Sequence, residues 1–344
     1  MELGVYSFGT TALDPATQRP VSQAQAMRNL LEAIRLADDV GLDVFGIGEH
    51  HTPEMPASAG AVVLGAAASV TERIKLISSV TVLSTDDPVR VYQRFATLDA
   101  VSHGRAEITA GRGSSTESFP LFGYDLNDYD RLYAEKLDLL LAIDRGDPVT
   151  WEGSVRPPLR GMEVVPRPDA GHLPIWLATG GNPGSSARAG QLGLPVAYGI
   201  IGGEAARFAP LADLYRRTAA DAGVPAEATR VAVANPGFVA DDARAARETW
   251  WPAWHRVMRD IGRRRGFAPI PREVYDRDAA PGGALFVGDP AEIAERILAL
   301  REALGHDRQI LQMDVGRLTQ RDFLRGIELL GTEVKPRVDA ALRR

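Results

Sequence analysis

The chain has 344 residues, 45% apolar and 24% charged, the composition of a water-soluble globular protein with a sizeable core rather than a disordered chain. Its net charge is −6, lysine occurs only at Lys75, Lys136 and Lys335, and the one dense basic run is Arg263–Arg265, so nucleic-acid binding has little support. Cysteine is absent, which removes disulfides, thiolate metal sites and a cysteine nucleophile.

The N-terminal stretch MELGVYSFGT has no basic segment followed by an apolar core, and no apolar run approaches the roughly 18 residues of a membrane span. A cytoplasmic protein, not membrane-bound, is expected.

In chain order, short apolar runs read as buried strands at Leu3–Phe8, Val44–Ile47, Ile74–Ser79, Ala106–Ala110, Ile175–Ala178, Val196–Ile200, Val231–Ala234 and Ile310–Met313. Amphipathic stretches lie between them. The first has Ser22 as N-cap, Leu30, Leu31, Ile34 and Ala37 on one face, and Gly41 just past its end. Helices are predicted next at Ala59–Thr71, Pro88–Val101, Asp128–Ile143, Ser185–Leu192, Ala205–Ala222, Ala243–Ile261, Pro290–Leu304 and Thr319–Leu330. Pro88 and Pro290 suit a first helical position, where the missing N–H has no intrahelical partner.

Near-continuous apolar strands alternating with helices about eight times predict an α/β fold, a (β/α)8 TIM barrel. The expectation is one domain over 1–344 with insertions after strands 4 and 7, at about 114–127, 146–173 and 250–288. Long connections of this kind commonly form lids or binding loops. Trp250, Trp251 and Trp254 open the last one, and packing of an extra helix accounts for them more simply than substrate stacking.

In such a barrel the site lies where the strands end. The residues there are Glu49-His50-His51, Ser79 onward, Gly111-Arg112-Gly113, Thr179-Gly180-Gly181-Asn182, Gly202-Gly203, Asn235 and Asp314. The stretch FGIGEHH (45–51) places two of the six histidines together. Adjacent strand residues face opposite ways, and no H-x-H or HExxH occurs, so no metal is expected. A structural hydrogen-bonding role is the default for His51, His103, His172, His255 and His306.

In WLATGGNPGSSARAGQLGLP (176–195) a strand enters a glycine-rich turn and then a helix beginning near Ser185. Free amides and the positive helix end there suit a phosphate, with Arg112 as a charged partner, although a plain turn has the same signature. No GxGxxG follows a strand and no P-loop occurs, which favours a mononucleotide over a dinucleotide.

With these pieces in view, the chain resembles the luciferase-like flavin-dependent oxidoreductases. The matching segments are FGIGEHH, IKLISSVTVLSTDDPVRVYQRFATLDAVSHGRAEITAGRGS (74–114), PIWLATGGNPGSSARAGQLGLPVAYG (174–199), VGDPAEIAERI (287–297) and GIELLGTEVKP (326–336). The resemblance implies a barrel that binds FMN at its C-terminal face, as a homodimer. It implies a cofactor site made of Ser79, Val80, Arg112, Gly180, Gly181, Asn182, Ser185, Tyr198 and Gly199. The Ser79-Val80 segment would lie against the flavin ring, in some relatives through a non-proline cis peptide, and His50 would be catalytic at the ring's reactive edge. Two positions depart from the luciferase pattern: Gly111 stands where luciferase has a reactive cysteine, and Ser118 where it has an acidic residue.

The resulting expectation is an FMN-dependent monooxygenase that oxidises a small organic substrate with dioxygen and reduced FMN supplied by a separate NAD(P)H flavin reductase. Histidine titrates near neutral pH, which suits His50 to proton transfer. Two alternatives stand beside it: deazaflavin-dependent hydride transfer on the same barrel, which would call for a more basic rim, and a non-catalytic flavin-binding protein.

Overall fold

The structure is a computed structural model that describes residues 1–113, 116–146 and 148–343, without the side chains of 264 and 265. Ser114, which opens the first expected insertion, Asp147 within the second, and two side chains of the Arg263–Arg265 run lie outside that set.

Eight parallel strands close into a barrel: β1 (Glu2–Ser7), β2 (Val44–Ile47), β3 (Lys75–Ser78), β4 (Ala106–Gly111), β5 (Ile175–Thr179), β6 (Val196–Gly199), β7 (Val231–Val239) and β8 (Arg308–Gln312). Closure comes from β8, which pairs with β7 on one side and β1 on the other, Leu3 opposite Gln309 and Val5 opposite Leu311. The two-residue alternation of a strand sorts the chemistry. Leu3, Val5, Leu76, Ile108 and Leu177 join the helix-facing core, while Tyr6, Ile77, Thr109, Trp176 and Ile310 line the interior.

The helices that cover the barrel are α1 (Gln23–Asp39), α2 (Gly60–Ala68), α3 (Pro88–Ser102), α4 (Tyr129–Arg145), α5 (Pro183–Gln191), α6 (Ala209–Asp221), α7 (Ala243–Arg265) and α8 (Pro290–Leu304), and Gln320–Leu329 follows β8. Ser22 caps α1 by accepting the Gln25 N–H. The same device recurs as a cap-then-proline pair: Asp87-Pro88, Asn182-Pro183 and Asp289-Pro290 each accept first-turn amides just ahead of the proline. The predicted start of α5 at Ser185 is therefore corrected to Pro183.

The predicted end of β7 at Ala234 is also corrected. Asn235-Pro236-Gly237 reads as a turn in sequence, yet the strand runs through it to Val239 and pairs with Phe286–Gly288. Asn235, expected at the rim, is fully buried and its Nδ2 donates to the carbonyls of Ile200 and Ala284, both at 3.0 Å.

A short helix, Ser118–Phe122, follows β4, and an antiparallel hairpin, Val149–Trp151 with Leu159–Met162, follows α4. After β7, Trp250 and Trp254 on α7 are buried with Tyr275, Phe238, Leu285 and Val287 in a separate apolar cluster, so these tryptophans pack the insertion. Among the described residues no helix is long and apolar enough to cross a membrane.

Candidate functional site

A cavity of about 310 Å³ opens at the C-terminal mouth of the barrel. Its floor is a charge network built from strand starts. Arg308 makes a bidentate pair with Glu107 (2.6 and 3.0 Å) and reaches Glu2 at 2.6 Å, Lys75 bridges Glu2 (2.7 Å) and Glu107 (3.2 Å), and Trp176 Nε1 donates to Glu107 at 2.9 Å. Burial pushes both carboxyls up, but Arg308 outweighs it, leaving Glu2 at about 2 and Glu107 below the usual range.

At the mouth, FGIGEHH ends β2. The opening glycines let neighbours close in: a Cβ on Gly48 would lie 2.1 Å from the Phe8 ring and 2.5 Å from the Ser79 carbonyl oxygen. The chain after β3 bulges inward as Ser79-Val80, whose peptide is cis. It is pinned to β2 by the Ser79 N–H donating to the Ile47 carbonyl (2.7 Å) and by the Glu49 N–H donating to the Val80 carbonyl (3.3 Å). Gly111 makes room for the bulge, because a Cβ on it would lie 2.5 Å from Val80 Cγ2 and push that side chain aside.

The adjacent histidines part company. His50 packs edge-on against Phe8 (centroids 4.3 Å) and its Nδ1 lies 3.1 Å from Glu117 Oε1. That hydrogen bond holds the Glu117 carboxyl down at about 2. His51 instead sets Nε2 2.9 Å from Glu49 Oε1, whose other oxygen accepts the Val82 N–H at 3.1 Å. Burial pushes Glu49 up despite these contacts. Glu117 is the residue that sequence reasoning missed: Ser118 breaks the luciferase pattern, but the carboxylate stands one position earlier.

The second cluster joins β4 to α5. Arg112 Nη2 donates to Ser185 Oγ at 3.1 Å, and Nη1 pairs at 2.7 Å with Asp130, which is 83% exposed; so exposed a pair adds little and yields to a stronger anion. Asn182 Oδ1 is already taken by the Ser185 N–H (3.1 Å), and the amides of Gly181 and Asn182 turn to Thr179 Oγ1 (3.3 and 3.2 Å). Tyr198 bonds Ser186 Oγ at 3.0 Å, and burial pushes its phenol up to about 12.

Of the residues singled out in the sequence, the cavity brings together His50, Ser79, Val80, Arg112, Gly180, Tyr198 and Gly199. Gly181, Asn182 and Ser185 do not line it; they stand beside the mouth, linked through Arg112. A Cβ built on Gly180 or Gly199 meets nothing within 4 Å, so both glycines keep the space beside Arg112 and Tyr198 open. An open slot with a guanidinium and a hydroxyl at one end, and an imidazole at the other, fits a phosphate-tailed ring system.

Residues 1–307 match the model of a family described as luciferase-like monooxygenase. The 4-hydroxyprotoasukamycin monooxygenase of Streptomyces nodosus subsp. asukaensis is 25% identical over 322 residues, 91% of this chain and 87% of that protein. An F420-dependent glucose-6-phosphate dehydrogenase of Beutenbergia cavernae is 34% identical over 176 residues, 49% of this chain and 51% of the other. Among solved structures, monooxygenase RslO1 from Streptomyces bottropensis has the same fold, with a TM-score of 0.83 and 22% identity over 98% of this chain and 99% of that one.

Proposed function

The chain belongs to the luciferase-like monooxygenase family, whose members are flavin-dependent monooxygenases or oxidoreductases, and from that premise we propose that it binds FMN at the barrel mouth and uses reduced FMN and dioxygen to oxidise a small organic substrate. The observation that carries this reading is one cavity with His50 and Val80 on one wall and Arg112 with Gly180 on another. Arg112 and the Ser185 hydroxyl would hold the phosphate, a charge-assisted contact of the strong kind. The Ser79-Val80 bulge would back the ring, with Tyr198 and Gly199 completing the slot.

When bound, reduced FMN supplies the electrons with which dioxygen is activated. The protein's own part is to exclude water and place a proton. Val80, Ile77 and Ile201 give the cavity apolar walls. With Nδ1 held by Glu117, His50 keeps Nε2 for holding or moving a proton in the cavity.

The rest of the reading follows from this assignment. A separate NAD(P)H flavin reductase supplies the reduced cofactor, because no dinucleotide fingerprint follows any strand. The chain acts in the cytoplasm as one domain and as a homodimer, and the apolar α2, with Val62 69% exposed, supports a protein partner.

The deazaflavin reading is favoured by the F420-dependent relative. Against it, the three lysines are Lys75 at the floor, buried Lys136 and distant Lys335, so the mouth has no lysine-rich rim for a polyanionic tail. Anaerobic titration of the purified protein with reduced FMN and with reduced deazaflavin separates the two by absorbance. Saturation by FMN alone is expected; saturation by the deazaflavin alone would reverse the assignment, and binding of FMN without dioxygen-dependent product from any substrate would leave a flavin-binding protein.

A further inference from the structure

Behind the Ser79-Val80 bulge lies a second cavity of about 210 Å³, and Glu49 and Val80 line both it and the reaction cavity. Its rim is exposed at Ser58, Arg94 and Phe122. Its inner wall includes Thr85, 5% exposed, whose Oγ1 has no hydrogen-bond partner. A polar cavity of this size with an unsatisfied buried hydroxyl takes up water, at about 30 Å³ per molecule. Glu49 and Val80 stand between the two spaces, and the Oε1 of Glu49 leads to His51, which lines the reaction cavity.

We propose that this rear cavity is a solvent chamber from which Glu49 and His51 pass one proton per turnover into the reaction cavity. The inference rests on the FMN reading. Anionic reduced FMN, dioxygen and one proton give oxidised FMN and hydrogen peroxide; with an oxygen-accepting substrate they give oxidised FMN, oxygenated substrate and water. Either way one proton must reach the reaction cavity while the cofactor covers its mouth. Glu49 takes it from chamber water, His51 receives it at Nε2, 2.9 Å away, and releases one from Nδ1. Burial keeps Glu49 above the ordinary carboxyl range, easing its protonation. The charged groups facing it are His51 on its own loop and Asp86 from the loop before α3, the latter paired with Arg94 on α3; the Glu117–His50 pair stands across the mouth.

A carboxylate that merely pins the bulge is the competing account, and E49Q separates the two. Glutamine still accepts the Val82 N–H but carries no exchangeable acidic proton. In stopped-flow reoxidation of bound reduced FMN by dioxygen, which needs no organic substrate, E49Q is expected to slow on the order of 10²-fold, with formic acid restoring part of the rate. A61F, which fills the chamber from α2, is expected to slow the same step with Glu49 intact. Reoxidation at the wild-type rate in both variants would overturn the relay.

Infrared difference spectra of the cofactor-free protein give a separate readout. A carboxyl band that titrates above the ordinary range and vanishes in E49Q is expected; its absence from the wild type counts against the relay. Failure of the wild type to take up reduced FMN would instead sink the FMN reading and leave the infrared result standing.

Discussion

At the floor of the barrel the charges pair with one another largely out of solvent, whereas at the mouth the partners are neutral or more exposed. Arg308, Glu107, Glu2 and Lys75 lock one another within 3.2 Å, and Arg308 and Glu107 are almost wholly buried. At the mouth, Arg112 spends one arm on an exposed aspartate and the other on the Ser185 hydroxyl, and His50 gives one of its two nitrogens to Glu117. The two ends share a cavity but differ in how tightly they are held, since the floor network ties the strand starts together while an exposed pair such as Arg112–Asp130 adds little.

That contrast breaks most visibly at the floor. E107A leaves Arg308 buried without its main counter-ion, and such an uncompensated charge costs about 3–5 kcal/mol. Urea unfolding of wild type and E107A measures it, and a loss below about 1 kcal/mol would mean the network is not structural. H50A sharpens the other side. It should lower turnover on the order of 10²-fold while the unfolding midpoint barely moves; unchanged turnover at saturating substrate would remove His50 from the chemistry.

A smaller effect is expected from G180V. The added side chain enters open space, since a Cβ there meets nothing within 4 Å, so stability holds while FMN affinity falls by about tenfold, or about 1.4 kcal/mol. The smallest effect is in pH. Glu117 sits at about 2 in the folded chain against an ordinary 4.5. Its contribution is therefore complete above about pH 4.5 and fades as the pH falls toward 2, by about 1 kcal/mol for a part-buried pair at an open mouth. Comparing wild type with E117Q across that window should show the difference closing at the acid end.

Much of this is legible in the residues. The strands are placed closely because parallel barrel strands are apolar on the helix-facing side whatever lies within. The mouth is legible through FGIGEHH and the glycine turn, since small residues mark close approach. The start of α5 is predicted late because Asn182-Pro183 reads as loop, although Asp87-Pro88 shows the same cap. β7 is cut short because Asn-Pro-Gly favours turns locally and only pairing with Phe286–Gly288 overrides that preference.

Two features have no local signal. Glu2, Lys75, Glu107 and Arg308 look like polar strand flanks until closure brings positions 306 residues apart to 2.6 Å. Glu117 lies in a segment without periodicity, and its partner His50 is 67 residues away.

The functional reading depends above all on Arg112 anchoring a phosphate while the ring lies toward His50. Titrating wild type and R112M with FMN and with riboflavin, which differ only in that phosphate, isolates this contact. Wild type is expected to prefer FMN by about 10–100-fold, the worth of hydrogen bonds to a charged group, and the preference should collapse in R112M with riboflavin binding unchanged. Equal binding of the two ligands by wild type, or a preference for FMN that survives R112M, would contradict it.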